Sequence, residues 1–165
     1  MRALFENPFH GSDPDRKAIW TMLVERDIDA FLAADWEMVK DDFIGEGFLG
    51  IDGRHMDNPD CWRLTFPTIE AYRDYWLKQA KEFQVQQFDE DPRAALFAAT
   101  SLQDIEIKGN LALVHKKFDG SISRSDGSKD ILNWQSLFHC RRIDERWKIT
   151  GFNGYLPNPV GTGKT

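Results

Sequence analysis

The sequence predicts an α+β domain with a mostly antiparallel sheet, and three observations carry that prediction. Helical periodicity fills the first half of the 165-residue chain, while strand-like alternation fills the second half. Hairpin signals punctuate that second half, at Gly109-Asn110, at Asp144-Glu145 and across the polar stretch Asp119 to Lys129. No repeat and no interior linker divides the chain, so one domain over 1–165 is expected, with extended tails at 1–11 and 157–165.

The elements follow in order. Ser12-Asp13-Pro14-Asp15 starts a helix in one of two ways: Ser12 caps with Asp15 in capping-box position, or Asp13 caps with Pro14 first in the helix. That helix runs to about Ala34, placing Trp20, Leu23, Val24, Asp27, Phe31 and Ala34 on one face, with Met22, Glu25, Arg26 and Asp29 opposite. Asp35 caps a short second helix from Trp36 to Asp42. The Gly-punctuated stretch Phe43 to Gly53 reads as a short strand ending in a turn at Asp52-Gly53, and a loop holding Asn58-Pro59 and Cys61-Trp62 follows. The third helix, from Pro67-Thr68 to about Phe83, buries Ile69, Tyr72, Trp76, Ala80 and Phe83. Four strands complete the chain: Leu96 to Lys108, Leu111 to Phe118, Asp130 to Ile143, and Trp147 to Leu156.

Composition narrows the function. A formal charge of -6 offers no attraction to nucleic-acid phosphates or anionic lipid, so neither partner is expected. No apolar run approaches a membrane span and no basic-then-apolar leader is present, so the expected location is the cytoplasm. Cys61 and Cys140 form no CxxC pair, and His10, His55, His115 and His139 show no ligand spacing. No metal and no cofactor is therefore expected, and both thiols read as reduced. The tail Gly161-Thr162-Gly163-Lys164-Thr165 imitates the end of a phosphate loop, but Asn158 stands where its first glycine is required.

The order helix, short helix, strand, helix, strand meander resembles the NTF2-like superfamily, specifically its SnoaL-like members. Ile28-Asp29-Ala30-Phe31-Leu32-Ala33-Ala34-Asp35-Trp36 matches the passage from first to second helix. Asp41-Asp42-Phe43 with Phe48-Leu49-Gly50-Ile51-Asp52-Gly53 resembles the descent into strand one, and Arg146-Trp147-Lys148-Ile149 the closing strand. The resemblance implies a curved sheet wrapped into a cone, closed by helices, with a pocket at its open end, and a sheet-to-sheet homodimer. It spans isomerases, dehydratases, hydrolases and cyclases, and also non-catalytic dioxygenase β subunits. Where the isomerases' acid/base aspartate would align, this chain has Glu46-Gly47-Phe48.

Asp27 is the residue that most wants explaining, because a carboxylate on the buried side of a helix is costly unless paired, hydrogen-bonded or protonated. Strand alternation assigns three sets to the concave interior: Trp147, Ile149, Gly151, Asn153, Tyr155; Leu132, Trp134, Ser136, Phe138, Cys140; and Phe97, Ala99, Ser101, Gln103, Ile105, Ile107. Apolar walls with a few convergent polar groups suit a small-molecule site. On the catalytic reading Asp27 is general acid or base, Tyr155 and Asn153 orient a substrate oxygen, and His115, whose side is left open by the pattern, is a second proton carrier. Trp20, Phe48, Trp62, Ser101, Gln103, Trp134, Ser136 and Phe138 would line the ligand, Trp62 either as a lid or as a loop anchor. On the structural reading Asp27 is satisfied by Arg73, by Tyr155, by an indole or by a backbone turn. The outward sheet face, with Asn133, Gln135, Leu137, His139 and Phe152, is expected to form the dimer contact.

Overall fold

Residues 3–158 are described by a computed structural model. Helix α1 (Pro14–Trp20) begins in the second of the two expected ways: Asp13 caps it, accepting from the Arg16 amide at 3.2 Å, and Pro14 opens the first turn. A π-helical segment (Thr21–Arg26) and helix α2 (Asp27–Ala33) continue it, and Ala34, left-handed at φ 49°, ends it. The wider i→i+5 turn advances the chain less per residue. Met22, expected on the outer face, is turned inward by it and is 2% exposed. The short helix expected over Trp36–Asp42 is two 3₁₀ turns, Trp36–Met38 and Lys40–Asp42, with Asp35 capping the first.

Strand β1 (Leu49–Asp52) is followed by β2 (Arg63–Phe66), a strand inside what reads as a loop in the sequence. Helix α3 (Ile69–Gln84) is capped by Thr68. Helix α4 (Pro92–Ala99) replaces the start of the strand expected from Leu96. Asp91 caps it, Pro92 takes its first position, and Arg-Ala-Ala-Leu-Phe-Ala-Ala are mostly strong helix formers. The long strands are β3 (Thr100–Lys108), β4 (Leu111–Ser123), β5 (Lys129–Ile143) and β6 (Arg146–Leu156). They form one sheet in the order β2-β1-β6-β5-β4-β3, antiparallel except for the β1–β6 pair. Gly151 permits that parallel pair, because a Cβ there would run into the Leu49 carbonyl oxygen.

The helices lie on one side of the sheet, held by polar contacts as well as by the core. Arg16 donates through Nε and a terminal nitrogen to the Ile105 carbonyl, at 3.1 and 3.0 Å, on edge strand β3. Asp15 accepts from the Trp147 indole at 2.9 Å and from Arg142 at 3.2 Å. Asp42, 1% exposed, takes both ends of the Arg26 guanidinium at 2.7 Å and Arg146 at 2.8 Å, clamping helix to sheet. This ion cluster also lifts the Arg26 guanidinium further above its ordinary value, chiefly through the hydrogen bond to Asp42. The N-terminal stretch folds back, with Phe5 edge-on to Phe97 at 4.9 Å. Of the tail expected from Pro157, everything beyond Asn158 lies outside the described residues. Among the described residues no helix is long and apolar enough to cross a membrane.

Candidate active site

Two strands supply the cavity floor in matched register. Inward-facing Val114, Lys116 and Phe118 of β4 stand beside Phe138, Ser136 and Trp134 of β5. Tyr72, Trp76 and Phe83 of α3 and Asp27 and Phe31 of α2 face them. Together these elements enclose a cavity of about 330 Å³. Its walls are apolar and largely aromatic, including Ile28, Leu96, Leu132 and Phe152. Gln79, Glu82, Gln86, Arg124 and Asp130 bring polar groups to the same cavity, Arg124 and Asp130 joined by an ion pair at 2.7 Å.

At the floor Lys116, 3% exposed, pairs with Asp27, its Nζ lying 3.1 Å from Oδ2. The same ammonium donates to the Leu23 carbonyl and lies 5.1 Å from the centre of the Phe118 ring. Leu23 belongs to the π-helical segment, so the irregular turn supplies the backbone acceptor that fixes the lysine head. Among the described residues no hydrogen bond reaches Asp27 Oδ1, and the Asp27 side chain keeps 29% of its surface. Paired on one oxygen and open on the other, Asp27 satisfies the structural requirement without giving up contact with the cavity.

Two phenols complete the polar lining. Burial pushes the Tyr72 hydroxyl far above its ordinary value, and the Asp27 carboxylate adds to that shift. Burial also holds Tyr155 well above its ordinary value, with Tyr72 and Tyr75 nearby. Both remain neutral donors across the physiological range. Tyr155 faces the cavity because the strand is irregular there. The β5–β6 register slips between Gln135 and Leu137, and Tyr155 sits at φ 55°, a left-handed conformation that is strained for an aromatic residue.

The raised phenols, and the Cys140 thiol pushed by burial to about 12, imply an alkaline instability. In the unfolded chain these groups ionise near 9 to 10, while in the fold they stay protonated. Unfolding therefore releases protons above that range, so their contribution is full below pH 9 and is lost as pH rises towards the folded values. The melting temperature is expected to fall from pH 9 to 11, less steeply in Tyr72→Phe; an identical slope in that variant contradicts the assignment.

Of the residues expected in the cavity from sequence, Asp27, Trp134, Ser136, Phe138 and Tyr155 line it. The others do not, each for a physical reason. Trp20 packs on Phe97 at 6.4 Å behind the helix, and Phe48 is 1% exposed in the aromatic core against Tyr72, Phe43 and Phe152. Trp62 anchors its own loop, its indole donating to the Met56 carbonyl at 2.8 Å. The register slips at Gln103, between Leu102 and Asp104, so Leu102 and Ile105 point inward while Ser101 and Gln103 are exposed. A second slip, at Thr150, turns Phe152 inward and leaves Asn153 on the outer face beside Leu137. His115 is also outward, bonded to Gln135 at 2.6 Å. Arg73, one expected partner of Asp27, instead pairs with Asp74.

Lys116 lines the cavity although it is not among the residues expected there from sequence. Alternation alone puts it between Val114 and Phe118 on one face, so a lysine on an apolar face was the available signal. Tyr72 and Trp76, which helical spacing assigns to the core, are buried and also form the cavity wall.

No family model and no curated protein matches this chain. Solved structures do. An NTF2-like protein of unknown function from Pseudomonas putida aligns over 89% of both chains at 16% identity and a TM-score of 0.55. One with a cystatin-like fold from Novosphingobium aromaticivorans covers 90% of this chain and 85% of its own, at 13% identity and TM-score 0.54. A third, from Shewanella baltica, covers 88% and 96% at 14% identity and TM-score 0.53.

Proposed function

The chain has the NTF2-like fold, and on that scaffold we propose a SnoaL-like protein that binds a small, largely apolar, oxygen-bearing molecule and moves a proton on it without a cofactor. The carrying observation is the Asp27–Lys116 pair at the floor of an aromatic-walled cavity of about 330 Å³. In this reading Lys116 and the phenols of Tyr72 and Tyr155 donate to a carbonyl oxygen. The open oxygen of Asp27 takes the proton from the adjacent carbon, leaving an enolate whose charge the ammonium faces. Lyase and isomerase outcomes share that first step, whereas in a hydrolase outcome the same Asp27 oxygen would take its proton from an attacking water. His115, on the outer face, has no part in it. Both cysteines are free, which supports the proposal of a reducing, cytoplasmic setting.

The test is exchange of the α-protons of 2-tetralone in deuterated buffer, followed by NMR. The protein is expected to accelerate exchange, with Asp27→Asn losing on the order of 10²-fold. Equal rates in the two proteins contradict the proton-transfer step.

A second reading, a non-catalytic binding or assembly module, is favoured by the convex sheet face. Leu113 and Leu137, 53% and 40% exposed, stand beside His139 and His115 in register, with Leu49 at 52% on the adjoining strands. We propose that this face pairs with a second copy. Light scattering is expected to show a dimer that Leu113→Asp converts to monomer; a monomeric parent protein contradicts it.

A further inference from the structure

We propose that Lys116 is also a covalent site, forming a reversible imine with aldehydes or ketones whose aromatic or alicyclic body fits the cavity. This rests on the reading that the cavity admits a small molecule. The geometry supplies what imine formation needs. A primary amine lines an apolar-walled cavity, and a carboxylate 3.1 Å away serves as its proton acceptor and donor. The Leu23 carbonyl holds the lysine head in place beside Phe118, and Ser136, its partner across the β4–β5 ladder, lines the same cavity.

The step balances without any oxidant or reductant. The Lys116 ammonium gives one proton to Asp27, and the freed nitrogen lone pair forms a bond to the carbonyl carbon. The carbonyl π pair moves to oxygen, which takes up a proton from nitrogen to give the neutral carbinolamine. Its hydroxyl then leaves as water with the proton held by Asp27, as the nitrogen lone pair closes the C=N bond. Ammonium plus carbonyl becomes protonated imine plus water, and the regenerated Asp27 carboxylate faces the positive imine nitrogen. A lysine paired only for stability would have no path to such chemistry; this one shares its cavity with a carboxylate that remains partly open.

The experiment treats the full chain with 2-naphthaldehyde and sodium cyanoborohydride, then locates adducts by intact mass and peptide mapping. Binding of 2-naphthalenemethanol, which cannot form an imine, is measured in parallel by tryptophan fluorescence. The expected result is one naphthylmethyl group on Lys116, formed at least about tenfold faster than on exposed Lys17, Lys78 or Lys81. Excess 2-naphthalenemethanol should block it, and Asp27→Asn should slow it by a similar factor. If the alcohol binds while label spreads over surface lysines and spares Lys116, the covalent proposal is overturned and the binding reading stands. If Lys116 is labelled equally fast in Asp27→Asn, the proton relay is overturned. If the alcohol does not bind and Lys116 stays unlabelled, both fall. Mapping on the parent protein keeps the test independent of how any variant folds.

Discussion

Asp42→Asn is expected to destabilise the protein more than any other single charge change among the ion pairs described. The carboxylate is 1% exposed and receives three short charged hydrogen bonds, two from Arg26 and one from Arg146. The two arginines keep 34% and 49% of their side-chain surface, so they can rehydrate when the charge is removed, which moderates the loss. A cost of about 3 kcal/mol follows, a drop in melting temperature of roughly 6–12 °C for a chain of this size. The Lys40–Glu37 pair is the internal control. Its side chains are 48% and 73% exposed, and Glu37→Gln should leave the melting curve in place. Equal small shifts in both variants would show that the clamp between the 3₁₀ turn and strand β6 contributes little.

The second large effect is at Lys116. Lys116→Met keeps the length and apolar stem of the side chain but leaves the Leu23 carbonyl and the Asp27 carboxylate without their shared donor. About 2–3 kcal/mol of stability should go, discounted because Asp27 retains contact with the cavity. Acceleration of 2-tetralone exchange should disappear with it. The double variant Asp27→Leu/Lys116→Met separates the two losses. Replacing a buried pair by apolar groups is often close to neutral, so stability should recover while exchange stays absent. Recovery of exchange in the double variant would remove the pair from the mechanism. Failure to recover stability would show that the lysine's bond to Leu23 matters more than the pair.

The helix-then-strand order, strands β5 and β6, the first part of β4 and the inward column of β5 are legible in the sequence, because they depend on caps, hairpin turns and period-two alternation; β4 runs on to Ser123 through polar residues that read as a connection. Asp27 is legible as well, since a carboxylate on an apolar face needs an explanation within the fold. What fails is parity. Each register slip adds a residue and swaps the faces beyond it, as at Gln103 and Thr150, and no local composition marks those two positions. For that reason simple alternation puts Ser101, Gln103 and Asn153 inside and Phe152 outside, whereas Phe152 is 3% exposed. Tyr155 reached the cavity as expected, but only because a further slip reversed the parity. The π-helical segment was equally silent, although its position beside the Lys116 contact makes it part of the site.

On the proposed function, the hollow between α2, α3 and strands β4–β6 receives an apolar, oxygen-bearing molecule against the Asp27–Lys116 pair. Titration of 2-naphthol into isotope-labelled protein, followed through the tryptophan indole resonances, reads such binding at the cavity wall. Saturable shifts at Trp76 and Trp134, with Trp62 and Trp147 unmoved, are the predicted result. Unchanged indole signals at Trp76 and Trp134, or changes confined to the outer sheet around Leu113 and Leu137, would contradict it.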